Sequence, residues 1–119
     1  IKERIETHYF VVAVNQQSQI VGFSSITPQG YLHSMFVHKD FQGEGIATML
    51  LEEIERYAIT AGITRITSEV SLTARPFFEK KGYAVEKEQK RKANQLSLTN
   101  FLMAKEVAFL EYYNKKVTD

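Results

Sequence analysis

Cysteine is absent from the 119 residues. That excludes disulfides, thiolate metal sites and a cysteine nucleophile, and it leaves the redox compartment open. An excess of one charge is also lacking. The 15 Lys and Arg against 14 Asp and Glu give a formal net charge of +1, so no whole-chain field points to nucleic acid or a membrane surface. No apolar run approaches the ~20 residues needed to cross a bilayer, and no signal peptide is visible. A soluble cytoplasmic protein is the expectation.

Apolar residues are plentiful. They make up 44% of the chain, with 8 Phe and 6 Tyr, enough for one domain over residues 1–119. The chain opens on Ile1 rather than Met, and the expectation is a domain whose N-terminal part is incomplete.

The pattern along the chain sets the element order. Tyr9–Val14, Ile20–Thr27 and Tyr31–Val37 are β-branched and aromatic runs separated by polar turns, which predicts an antiparallel meander. From Gly45 the period changes: Ile46, Met49, Leu50, Ile54, Tyr57, Ala58 and Ala61 recur at helical spacing, and Gly62 is placed to end the helix. Thr64–Val70 reads as a strand, Ala74–Lys81 as a short helix with Pro76 in its first turn, and Tyr83–Glu88 and Leu96–Glu106 as two further strands. The order β-β-β-α-β-α-β-β predicts an α/β (mixed α+β) domain, a sheet covered by helices.

Two segments carry less pattern. Glu86–Lys92 (EKEQKRK) is charge-rich but includes two acids and no aromatics, which fits a solvated hairpin better than a nucleic-acid patch. Residues 107–119 form a C-terminal extension with Phe109, Leu110, Tyr112 and Tyr113. It reads either as a short helix or as an arm reaching a neighbouring subunit, which leaves a homodimer open.

The chemistry centres on Gln42-Gly43-Glu44-Gly45-Ile46-Ala47, between the third strand and the long helix. Helix-start N–H groups lack intrahelical partners, and glycines let a ligand approach the backbone, so the segment is a candidate phosphate cradle. A P-loop would need Gly-Lys-Ser/Thr, but Ile46 and Ala47 follow Gly45. A dinucleotide fingerprint would need a third glycine where Thr48 stands, and an acid about 20 residues on, where Thr64 and Arg65 lie.

The segment resembles the Gln/Arg-x-x-Gly-x-Gly/Ala signature of the GNAT superfamily of N-acetyltransferases. The later Ala74-Arg75-Pro76-Phe77-Phe78-Glu79-Lys80-Lys81-Gly82-Tyr83 run is similar to that family as well, and Ser71-x-Thr73-Ala74-Arg75-Pro76-Phe77-Phe78 is similar to its YafP-like branch. The resemblance runs from about Tyr9 to Lys105. It implies a central, mostly antiparallel mixed sheet whose initial strand and helices are missing here. It also implies acetyl-coenzyme A as co-substrate, with the backbone of Gln42, Gly43, Gly45, Ile46 and Ala47, within the loop that includes Glu44, facing the pyrophosphate. Backbone atoms of Phe36 and Val37 would pair with the pantetheine arm like an added strand, and Lys39 is a further candidate for the phosphates. No metal is implied.

Acetyl transfer to an amine needs a base, because a free alkyl amine has a pKa of ~10.4. Glu69, near the end of the strand after the long helix, and His33, on the strand leading to the glycines, are the candidates. Against them stand a plain exposed strand carboxylate and a histidine capping the sheet. Many family members place a Tyr on the short helix to protonate the departing thiolate. The aligned residue here is Phe78, which has no proton to give. A coenzyme thiol should leave tolerably unaided, since free thiols have a pKa of ~8.5. Ser71 is the nearest substitute hydroxyl, equally readable as a cap for the following turn. Tyr83 reads as core, and the oxyanion would be served by a backbone N–H near Val37.

The resemblance therefore implies transfer of an acetyl group to a primary amine of a small molecule or a peptide. A catalytically weak acyl-coenzyme A sensor of the same fold is the alternative, and Phe78 gives it weight. A nucleic-acid module built on Lys87–Lys92 is remote.

Overall fold

The computed structural model of the chain describes residues 8–93 and 96–107. The elements follow the expected order: β1 (Tyr9–Val14), β2 (Ile20–Ile26), β3 (Leu32–Val37), α1 (Ile46–Thr60), β4 (Arg65–Ser71), α2 (Arg75–Lys80), β5 (Ala84–Ala93) and β6 (Leu96–Glu106). Residues 1–7 and the 108–119 part of the C-terminal extension lie outside the described residues.

β1, β2 and β3 form an antiparallel meander because their polar junctions satisfy their own backbone. At the first, the Asn15 side-chain oxygen accepts from the N–H groups of Gln17 (2.9 Å) and Gln19 (3.0 Å). At the second, Gly30 N–H donates to the Thr27 carbonyl at 3.0 Å, and Tyr31 N–H to the Thr27 hydroxyl at 3.1 Å. β4, β6 and β5 make a second antiparallel sheet, in that spatial order.

The two sheets meet at one parallel bridge between Tyr31 and Thr67. Beside it, Thr67 N–H donates to the Gly30 carbonyl (2.9 Å) and the Ser68 hydroxyl to the Leu32 carbonyl (3.0 Å). Beyond this point no ladder joins β3 to β4 among the described residues. The expected mixed, mostly antiparallel sheet is present, and it is split down its middle.

α1 covers the first sheet and closes the core. Leu51, Ile54 and Ala58 pack with Ile26 and Leu32 from the meander and with Ile66, Val70, Phe101 and Met103 from the second sheet. Burying a side chain such as Ile54 is worth about 1.5–3 kcal/mol. Tyr57 on α1 stacks on Tyr9 with ring centroids 3.8 Å apart. The start of α1 rides close over β2: a Cβ at Gly22 would stand 2.8 Å from the Phe36 carbonyl oxygen and 3.1 Å from Ile46 Cγ2. On β4, Ile66, Ser68 and Val70 are buried, as the period-2 reading requires.

One assignment is corrected. Glu86–Lys92 does not connect two strands; it lies within β5, in register with β6 from Ala84↔Ala104 to Ala93↔Leu96. β4 pairs with β6 only as far as Ser71↔Asn100, so the outer part of the β5–β6 hairpin projects with solvent on both faces. Such an arm has no reason to alternate in polarity. No helix among the described residues is long and apolar enough to cross a membrane.

Candidate active site

A cavity of about 530 Å³ opens between the end of β3, the start of α1 and α2. This size is typical of small-molecule sites. Gln42, Gly43, Gly45, Ile46, Ala47 and Thr48 line one end, and Met35, Val37, Phe41, Ala74, Phe77 and Phe78 line the rest.

The chain reaches that cavity through a short 3-10 turn at Lys39–Phe41. His38 N–H donates to the Val21 carbonyl (2.8 Å), and His38 Nδ1 accepts from Asp40 N–H (3.1 Å). The Gln42 side-chain amide then donates to the Val37 carbonyl at 3.2 Å, tying the loop to the strand end. Gly43 and Gly45 follow with φ of 83° and 84°, a left-handed conformation that costs a residue with a Cβ about 1–2 kcal/mol. A Cβ at either position would meet no atom within 4 Å, so the space above this backbone is free for a ligand.

Gly45 is the N-cap of α1 and offers no capping side chain. The first-turn N–H groups therefore face the cavity end with the helix dipole behind them, a donor set suited to a phosphate ester. The remaining wall is apolar and suits an uncharged arm. Alongside it, the outer edge of β3 past Leu32 has no strand partner among the described residues. A single chain could add there by main-chain hydrogen bonds.

The other expected residues fall as follows. Glu44 and Lys39 are exposed and outside the lining. The Phe36 side chain is 48% exposed and tilts against Phe23 at 5.5 Å; only its backbone lies along the open edge. Phe78 is 4% exposed, and its ring meets Phe77 (5.4 Å) and Tyr83 (5.3 Å) edge-on. Tyr83 is 3% exposed and donates to Glu55 Oε2 at 2.8 Å. Lys105 Nζ reaches Glu55 Oε1 at 3.1 Å. Burial, with the nearby Glu55 carboxylate, holds the Tyr83 phenol well above its ordinary range.

His33, Glu69 and Ser71 do not line the cavity. His33 is the extra residue of a β-bulge: Ser25 faces Ser34 and Ile26 faces Leu32, leaving His33 unmatched. Its exposed ring lies edge-on to His8 (5.4 Å) and Tyr31 (6.1 Å). Glu69 is exposed on β4, opposite Leu102. His33 and Glu69 each stand two residues past the Tyr31–Thr67 bridge, where the sheets part. Ser71 Oγ accepts from Ala74 N–H at 3.1 Å, capping the turn into α2.

Met35, Phe41, Thr48, Ala74 and Phe77 also line the cavity and were not singled out from the sequence. Two of them carry a signal there: Met35 shares a strand face with Val37, and Thr48 lies in the first helical turn after the glycines.

A family model described as an acetyltransferase (GNAT) domain matches residues 1–106. A protein of Escherichia coli (strain K12) named as an uncharacterized N-acetyltransferase, YafP, is 30% identical over 86% of this chain and 63% of its own length. The chain thus spans somewhat under two thirds of that relative. The crystal structure of a GCN5-related N-acetyltransferase from Rhodopseudomonas palustris is 28% identical with a TM-score of 0.75, covering 83% of this chain and 61% of the other. An aminoglycoside 6'-N-acetyltransferase solved in complex with coenzyme A shares the fold at 22% identity and a TM-score of 0.73, over 84% of this chain and 73% of its own. The glycine loop and the family match agree, and the chain belongs to the GNAT acetyltransferase family.

Proposed function

We propose that this protein transfers an acetyl group from acetyl-coenzyme A to a primary amine, carried by a small molecule or by a peptide. The observation that carries the reading is the uncapped glycine start of α1 at one end of an otherwise apolar cavity, beside the open edge of β3. Acetyl-coenzyme A supplies an activated acyl carbon and a thiol leaving group. Its pyrophosphate suits the backbone of Gln42–Thr48, and its pantetheine arm suits the apolar wall and the free strand edge.

This chain's residues then have three tasks. A base must take the amine proton as nitrogen attacks the thioester carbon. His33 and Glu69 are the candidates, since both stand where the sheets part and the two reactants can meet. Backbone N–H near Val37 would steady the oxygen that gains charge. The sulfur must leave with a proton, and among the described residues the cavity wall offers no acidic side chain for that; its polar side chains there are Gln42 and Thr48, at the loop end. Ser71 at the mouth of α2, or water, is the remaining source. With such a donor, the cytoplasm is the compartment we propose for the working enzyme.

A second reading, an acyl-coenzyme A sensor, is favoured by Phe78, whose buried ring cannot donate. Thiol release from acetyl-coenzyme A over a panel of amines separates the two, comparing wild type with Glu69→Gln and His33→Ala. Turnover lost in either variant supports the enzyme and names its base. Coenzyme binding with no turnover on any amine supports the sensor. If acetyl-coenzyme A gives no thermal shift, both readings fail.

A further inference from the structure

We infer that the donor site accepts acyl-coenzyme A thioesters with apolar chains longer than acetyl, propionyl and butyryl among them, and that Ala74 and Met35 set this range. The inference rests on the coenzyme A reading of the cavity. It concerns the end of the cavity that the phosphate argument does not use.

The two ends differ in chemistry. Backbone N–H groups and the Gln42 and Thr48 side chains gather at the glycine end. At the α2 side, Met35, Ala74, Phe77 and Phe78 present only carbon and sulfur. A ligand charged at one terminus and uncharged at the other is bound in one direction only. Its phosphates lie at the loop, so its acyl terminus lies toward Met35 and α2. No buried polar group there would lose a partner when methylenes replace water.

The wall is fixed on one side and yielding on the other. Phe77 and Phe78 meet at a right angle, 5.4 Å apart, and Phe78 is braced by Tyr83 at 5.3 Å. Ala74 is the smallest side chain of that end. Its backbone is pinned by the Ser71 carbonyl (3.2 Å) and hydroxyl (3.1 Å), so α2 holds open the space a larger residue would fill. Met35, on β3 and lining the same cavity, is unbranched and adapts its shape to what it touches. A methylene buried against such a surface tightens binding by roughly fourfold, the equivalent of ~0.8 kcal/mol.

Calorimetric titration without any amine reads this apart from catalysis. The probes are coenzyme A and its acetyl, propionyl and butyryl thioesters, against wild type, Ala74→Leu and Met35→Ala. The expected result is an affinity that rises by up to about fourfold per methylene in wild type. Ala74→Leu should reverse that order, and Met35→Ala should move the optimum to a longer chain. Thermal unfolding of each variant confirms that the fold is kept, and Ala74→Val takes its place if Ala74→Leu does not fold. Butyryl-coenzyme A binding tenfold more weakly than acetyl-coenzyme A to wild type overturns the inference and leaves the coenzyme reading standing. Failure of all four probes to bind overturns both.

Discussion

Gly30 sits so close to Arg65 that a Cβ on it would lie 2.4 Å from the Arg65 carbonyl oxygen. This contact is the seam of the molecule, because the Gly30 carbonyl also accepts the Thr67 N–H that joins the two sheets. Gly30 has φ +95°, so an alanine there would meet both backbone strain and a clash with main chain. We expect Gly30→Ala to cost about 3–5 kcal/mol. A melting temperature within a few degrees of wild type would show that the seam is looser than described.

Gly45 separates strain from ligand access. Gly45 and Gly62 share nearly the same φ, 84° and 83°, and a Cβ on either meets nothing within 4 Å. Alanine at each position should therefore lower stability by a similar amount, about 1–2 kcal/mol. Only Gly45→Ala should weaken acetyl-coenzyme A, by tenfold or more in a binding titration, because only that Cβ enters the space proposed for the pyrophosphate. Equal affinity in the two variants would count against the cradle.

Phe78→Tyr restores a phenol to the cavity wall. If thiolate departure limits turnover, kcat should rise by tenfold or more, toward the ~10²–10⁴ available to general acid catalysis. The added hydroxyl sits in an apolar wall, so stability should fall by about 1–3 kcal/mol if it finds no partner. An unchanged kcat with a correctly folded variant would place the slow step elsewhere.

Tyr83→Phe removes the hydrogen bond to Glu55 while keeping the ring against Phe78. The loss should be about 1.5–3 kcal/mol, as for a bond to a charged acceptor. The folded phenol holds its proton beyond its ordinary range, so the folded state binds more protons than the unfolded one above pH ~10. The stability contributed by Tyr83 is complete below that pH and is lost progressively as pH rises above it toward the raised value of the folded state. Denaturant titrations from pH 8 to 11 should show a steeper alkaline decline in wild type than in Tyr83→Phe. Parallel curves would show that Tyr83 ionises as freely as in the unfolded chain.

Much of this architecture is legible in the residues, for definite reasons. α1 declares itself through Leu50, Ile54 and Ala58 at helical spacing, all buried. The meander declares itself because Asn15 and Thr27 build their own turns. Glu86–Lys92 hid its strand because an arm wet on both faces has no alternation to show. The parting of β3 from β4 is equally invisible, since it depends on where Thr67 meets Gly30, 37 residues away along the chain. The glycine loop was readable from its local spacing, whereas Ala74 and Phe77 reach the cavity only through the packing of α2. The bulge at His33 follows from pairing with β2, and no residue type marks it.

The split also orders how the molecule assembles. Every strand pairing of the first sheet lies within residues 9–37, and every one of the second within residues 65–106. The meander and the β5–β6 hairpin pair over short separations, which close early, whereas β4 meets β6 over separations as long as the one across the seam, Arg65↔Glu106 among them. We predict that pulse-labelled amides within the meander and the β5–β6 hairpin gain protection first and that the Thr67 amide, bonded to Gly30 across the seam, gains it later. Early protection of Thr67 would reverse that order. On this view the gap proposed to bring donor and amine together takes shape only after the meander and the β5–β6 hairpin are in place.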